Sequence, residues 1–433
     1  MDYLYTNVDF STERFRRFLS KQDGDGGLSP GRLTFAEDFA RFAGLPFEEA
    51  LREIVGTATP DSENLGGPAI VAMVHAAQLT AGRGVEVAFS GMLGNDAVGT
   101  RLREIAAPSG VDLGSVATIP GRSPSTIVLS DPNYADGQGE RTFINDIAAA
   151  WEMTPDRLGR DFFAADMILF GGTALMPRIH DALDDLARRA REAGALTVCG
   201  TVYDFRSQQR NPQEPWPLGA EHGAYPWLDL LIADREEILR LTGAKDVDAA
   251  VATALGRGVQ AVVVTRGAEP AVAAVQPGST TFAPLPRREY PVSAAVTREL
   301  AASPERRGDT TGCGDNFVGG VLSSLLLQID ADAPGAAPGG TSTAKSRRAG
   351  GLDLHQALMW GVASGGFTCF YPGGTYHESI EGEKRALVER FVAAYAEQLA
   401  GGDQAGDGGP PGGGRAHSGQ AHSGRPRSSE SEA

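Results

Sequence analysis

Two carboxylates, two hydroxyls and three glycines fall within eight positions in Gly308-Asp309-Thr310-Thr311-Gly312-Cys313-Gly314-Asp315. Asn316-Phe317-Val318-Gly319-Gly320 and the apolar run Val321–Leu327 follow, reading as a buried helix. Gly312 and Gly314 let the backbone turn so that successive N–H groups converge at the N-terminus of that helix, the positive end of its dipole. Such a nest binds an anion and stabilises the charge spread over a phosphoryl group in flight. Asp315 would sit beside it, where a carboxylate can accept the proton of an attacking hydroxyl. The run could also be an ordinary turn with an N-capping aspartate. Both aspartates, the second glycine pair and the buried helix together favour the chemical reading.

The flanking elements must hold that turn. Val85–Ser90, Met167–Phe170, Leu230–Ala233 and Ala261–Thr265 read as buried strands. Ala69–Leu79, Asp96–Ala107, Arg178–Ala193, Arg235–Leu241 and Val247–Leu255 carry apolar residues at helical spacing, with Gly194 and Gly243 as C-terminal caps. Alternating strands and helices predict a mostly parallel sheet covered on both faces, with ligands beyond the C-terminal strand ends. Ser125–Ser130 and Glu140–Ile144 break the rhythm; joined through an Asp-Gly pair, they predict a hairpin outside the main sheet, as an ornament or part of a lid.

Composition narrows the partners. A net charge of −16 opposes binding to nucleic acid or anionic lipid. A negative protein that handles polyphosphate needs Mg²⁺ or backbone N–H groups for compensation. Cys199, Cys313 and Cys369 lie at no metal-ligand or CxxC spacing, which fits a reducing, cytoplasmic setting. The first residues contain acidic positions and no continuous apolar stretch, so neither a signal peptide nor a membrane anchor is expected. Residues 331–351 and 401–433 are rich in Gly, Pro, Ala and Ser and read as a surface insertion and a disordered tail; His417 and His422 in the tail read as linker rather than metal ligands. Residues 339–346 nearly match a phosphate-binding loop, but Ala344 replaces its second glycine and no strand precedes it.

With these residues in hand, the chain resembles the ribokinase-like, or PfkB-type, carbohydrate kinases, whose signature Asp-Thr-x-Gly-Ala-Gly-Asp stands here as Asp309–Asp315 with Cys313 at the alanine position. The resemblance implies Asp315 as catalytic base, Gly312, Cys313 and Gly314 as the anion hole, and Asp309 close to the sugar or the phosphates, with Thr310 on the nucleotide side. Gly66-Gly67 matches the paired glycines that pack against the sugar, and Gly94–Gly99 resembles the Gly-x-Asp-x-x-Gly that follows. Asp204-Phe205-Arg206 resembles an Asp-x-Asn-x-Arg region, which makes Arg206 a substrate contact or a structural ion-pair residue. Asp234–Glu237 resembles Asn-x-x-Glu with Asp234 in place of Asn, implying that Glu237 helps hold Mg²⁺; a helix with an acidic first turn accounts for the same residues. Thr265 and Gly267 fall where the family contacts nucleotide phosphates.

The fold implied is a three-layer α/β/α sandwich with a central, mostly parallel sheet and a small β-rich lid. One kinase domain is expected over 1–400, its lid drawn from the N-terminal region and 120–147. ATP and Mg²⁺ are the expected cofactors, a monovalent cation and a homodimer remaining open. Val71 stands where an Asn is expected, and Met1–Ser62 offers no identifiable sugar-binding Asp, so the acceptor stays open between sugar and nucleoside. A dehydrogenase is disfavoured because no Gly-x-Gly-x-x-Gly follows the first strand. A non-catalytic sugar- or nucleotide-binding regulator is the rival that loss of Asp315 or of the glycines beside it would favour; both are present, so catalysis leads, while Asp234 and Val71, as departures from the family pattern, keep that rival open.

Overall fold

The computed structural model describes residues 1–406 apart from Asp23, Gln138, Asp309 and 332–350. The insertion, the His417/His422 tail and the near match at 339–346 therefore lie outside the described residues.

Strands number in chain order: β1 (Asp2–Tyr5), β2 (Leu33–Phe35), β3 (Ser62–Asn64), β4 (Gly91–Gly94), β5 (Val116–Ile119), β6 (Ser125–Asp131), β7 (Glu140–Asp146), β8 (Met167–Gly171), β9 (Leu196–Gly200), β10 (Leu230–Asp234), β11 (Ala261–Arg266), β12 (Glu269–Val275) and β13 (Arg288–Tyr290). The main sheet runs β13-β12-β11-β10-β9-β8. Strands β8 to β11 are parallel, and β12 and β13 return antiparallel. Side chains alternate between its faces as the pleat requires. Leu231, Ala233, Val262 and Val264 face one core, with helices Leu183–Glu192, Arg235–Thr242 and Val247–Gly256. Leu230, Ile232, Ala261 and Val263 face the other, with helices Cys313–Ala331, Leu354–Thr368 and Glu383–Gly406. Burial on both faces explains why these strands read as unbroken apolar runs.

A second sheet, β2-β7-β6-β1-β3, forms the β-rich lid. The expected hairpin is there: β6 and β7 pair antiparallel from Ser125↔Asp146 to Asp131↔Glu140. The lid has its own aromatic core, in which Phe10 stacks on Phe15 at 4.2 Å between ring centroids and Phe18 packs on Phe39.

Two expected elements differ. Val85–Ser90 is not a strand: Ala88 makes a single bridge to Asp112, and the ladder begins at Gly91, where β4 pairs with β5 in a separate parallel sheet. Val85 and Val87 instead pack beneath helix Pro68–Thr80, which accounts for their apolar character. The predicted helix Arg178–Ala193 breaks at Ala182, whose φ of −105° and ψ of 9° leave the helical region, giving Pro177–Asp181 and Leu183–Glu192.

Candidate active site

The β8–β11 strand ends, the Gly66-Gly67 turn and the N-terminus of helix Cys313–Ala331 border a cavity of about 510 Å³. That helix is anchored by Phe317, Val321, Leu322, Leu325 and Ile329, all buried; each contributes ~2 kcal/mol by leaving water. Its first turn is thereby fixed against the strand ends, with Gly314 and Asp315 lining the cavity. Gly312 has a φ of 74°, and a Cβ there would lie 2.6 Å from the Gly374 Cα, so the turn demands glycine both for conformation and for closeness.

The Asp315 carboxylate opens to the cavity but is otherwise enclosed by protein. Burial, with the Asp2 carboxylate adding to it, raises its pKa to about 7. A base with that pKa is poised for proton abstraction near neutrality. Arg141 reaches across from β7 in the lid and donates to both Thr310 Oγ1, at 2.6 Å, and Thr311 Oγ1. Cys313 and Cys369 bring their sulfurs within 3.8 Å, and the Cys369 carbonyl accepts the Gly308 N–H at 2.8 Å.

Behind the turn lies a buried polar cluster. Asn316 Nδ2 donates to the carbonyls of Gly312 (2.8 Å) and Gly374 (2.7 Å). Its Oδ1 accepts from Lys384 Nζ at 3.2 Å and from the Tyr371 hydroxyl at 3.3 Å. Lys384 Nζ also donates to Gln78 Oε1 at 3.0 Å. Burial holds the ammonium down to about 7, opposed by Glu378.

On the acceptor side Gly66 and Gly67 line the cavity, and so does Asp2, which sequence reasoning missed. A Cβ at Gly66 would lie 1.9 Å from Asp2 Oδ1, so Gly66 makes room for that carboxylate. The available signal was indirect: an acidic residue at the head of the otherwise apolar and aromatic segment Asp2–Tyr5. Val71 is buried against Gly374 and is not among the lining residues. Arg206 is not brought to the cavity either. Its guanidinium makes a bidentate pair with Asp181, the structural ion pair that was one of its two expected roles. Asp96 caps helix Ala97–Ala106, accepting from the Gly99 N–H at 2.8 Å and the Ser123 hydroxyl at 2.6 Å.

On the other side, Asp234, Glu237 and Thr265 line the cavity, while Asp234, Thr265 and Gly267 line an adjoining groove. Asp234 Oδ1 accepts from the Glu237 N–H at 2.7 Å, and Glu237 Oε2 accepts from the Asp234 N–H at 3.0 Å. This capping box starts helix Arg235–Thr242. The Thr201 hydroxyl also donates to Glu237. Burial, then the charges of Asp234 and Asp315, raise the Glu237 pKa to about 7. Among the described residues no three His, Cys, Asp or Glu side chains converge to hold a metal ion alone. The donors do suit Mg²⁺, which keeps most of its waters and takes one or two carboxylates plus phosphate oxygens. The crowded negative charge at Glu237 is what such a cation would relieve. Asp309 lies outside the described residues.

A largely parallel sheet with a β-rich lid, and a glycine turn with Asp315 beside it at the head of helix Cys313–Ala331, fit a small-molecule kinase of the ribokinase-like fold. The chain matches the model of the pfkB family carbohydrate kinases over residues 47–380, and it belongs to that family. It is 27% identical to aminoimidazole riboside kinase of Salmonella typhimurium over 246 residues, covering 56% of this chain and 69% of that protein. Adenosine kinase from Sinorhizobium meliloti superposes with a TM-score of 0.56 at 20% identity, covering 92% of this chain and 96% of that one. Fructokinase from Vibrio cholerae, solved with fructose, ADP and calcium, gives a TM-score of 0.51 at 19% identity, covering 76% and 91%. The chain is thus a carbohydrate-kinase enzyme, and among its described residues no helix is long and apolar enough to cross a membrane.

Proposed function

We propose that this enzyme transfers the γ-phosphoryl group of ATP to a hydroxyl of a sugar or sugar-like small molecule. The observation that carries the reading is Asp315, an enclosed carboxylate of raised pKa at the lip of the Gly312–Gly314 turn. Asp315 takes the proton of the acceptor hydroxyl as that oxygen approaches phosphorus. The N–H groups of Gly312, Cys313 and Gly314 hold the charge that builds on the transferring oxygens. Asp2, Gly66 and Gly67 hold the acceptor; Asp234, Thr265, Gly267 and Thr310 hold the nucleotide. Glu237 would help hold Mg²⁺, which would supply positive charge to neutralise the phosphates. Arg141 ties the lid to Thr310 and Thr311, excluding water that would otherwise compete with the acceptor.

A nucleoside acceptor is a second reading, favoured by the apolar wall of Ile70, Phe89, Met92, Leu102 and Val116, against which a base would pack. ADP release measured across sugars, sugar acids, nucleosides and sugar phosphates separates the two. Turnover confined to nucleosides selects the second reading, and release with none of them sinks both.

A further inference from the structure

Lys384 is fully buried, and the amides that accept from its Nζ, Gln78 and Asn316, are both neutral. Burying a cation against neutral partners is costly, so the arrangement calls for a compensating role. Its position supplies one. Helix Glu383–Gly406 begins one residue earlier, and the ammonium enters the space between helix Pro68–Thr80, which carries Gln78, and helix Cys313–Ala331, which carries Asn316. Gln78 is fixed at its other end, donating from Nε2 to the Tyr376 carbonyl at 2.8 Å.

An Asn amide can sit either way round, and its neighbours decide which. Here two donors, Lys384 Nζ and the Tyr371 hydroxyl, meet one end of Asn316, while two carbonyls, of Gly312 and Gly374, meet the other. The Gly312 carbonyl belongs to the same planar peptide as the Cys313 N–H. That carbonyl oxygen also accepts the Asn316 backbone N–H at 2.8 Å, and the Cys313 N–H donates to the Thr310 carbonyl at 3.3 Å, so the side-chain amide adds a second grip that fixes the plane of this peptide.

We propose that Lys384 is a positioning residue for phosphoryl transfer: its ammonium fixes the Asn316 amide, which grips the Gly312 carbonyl and sets the Gly312–Gly314 turn to receive the transferring phosphoryl group. The inference rests on the reading of that turn as the phosphoryl-binding hole. Lys384 itself is buried behind the turn and is not among the residues that line the cavity.

The test uses the full chain with Mg²⁺-ADP, alone and with aluminium fluoride, a mimic of the phosphoryl group in transfer, so no acceptor need be known. Calorimetry on the wild type should show fluoride tightening ADP binding. In Lys384→Met the affinity for ADP alone should hold, while the fluoride-dependent gain falls ~10-fold, less than the loss of a whole oxyanion donor. Asn316→Leu should lose the same gain, and the double variant should lose little more, because the two act in series. An unchanged gain in K384M, or additive losses in the double variant, overturns the inference and leaves the site reading standing. Absence of any gain in the wild type overturns the site reading itself. Should K384M fail to fold, Lys384→Gln keeps a neutral donor at the position and is judged by the same ratio. Merely structural damage would lower both affinities together.

Discussion

Asp315 carries the account at the scale of single residues. With a pKa of about 7 it holds its proton below neutrality, so log(kcat/KM) for the acceptor at saturating Mg²⁺-ATP, where the cation keeps Glu237 ionised, should fall with unit slope below pH 7 and level off above. Asp2 contributes part of that elevation, so Asp2→Asn should move the acid limb to lower pH as well as weaken acceptor binding. A limb that stays in place would deny the interaction between the two carboxylates. The same ionisation opposes folding. Between its ordinary value of 3.8 and about 7 the folded chain holds a proton that the unfolded chain releases, so stability falls as pH rises. Asp315→Asn should therefore raise Tm at pH 8 and much less at pH 5, with a ceiling of ~4 kcal/mol. Much of this was legible in the sequence, because Gly, Asp and Thr at fixed spacing prescribe a local backbone. Asp2, Asn316 and Lys384 were not, since their roles come from residues about 60 to 310 positions away meeting in space.

Among the elements, the turn into helix Cys313–Ala331 and the turn into helix Pro68–Thr80 are the two rigid walls of the site. Each owes its closeness to a glycine. Gly312→Ala would place a Cβ 2.6 Å from Gly374 at a φ of 74°, and should cost ~1–3 kcal/mol of stability together with most activity. Gly66→Ala should act differently, because its Cβ meets the Asp2 carboxylate rather than backbone. It should raise KM for the acceptor while leaving KM for ATP near the wild-type value; equal rises in both would contradict the division of the site. The parallel strands and their helices were readable because burial on both faces writes a continuous apolar run. Val85–Ser90 misled for the same reason: its apolar residues face helix Pro68–Thr80 without a ladder partner beyond Ala88. Arg206 shows a limit of motif reading: a motif fixes a residue's place in sequence but not its partner, which here is Asp181.

Across the whole molecule, lid and sandwich meet at Arg141, which joins β7 to the two threonines of the turn. Arg141→Met should loosen that closure, lowering transfer to the acceptor and raising ADP release in its absence, as water gains access. Unchanged hydrolysis would remove the sealing role. The hairpin that builds the lid was visible as an interruption in the strand–helix rhythm, whereas its docking onto the turn depends on packing that no local pattern records. The central claim is that one carboxylate beside one glycine turn makes this chain a kinase. The most direct measurement is ADP release by the wild type and by Asp315→Asn with an acceptor that the wild type phosphorylates. The account predicts that the substitution lowers kcat by ~10²–10⁴-fold with the fold intact. Turnover undiminished in Asp315→Asn would contradict it.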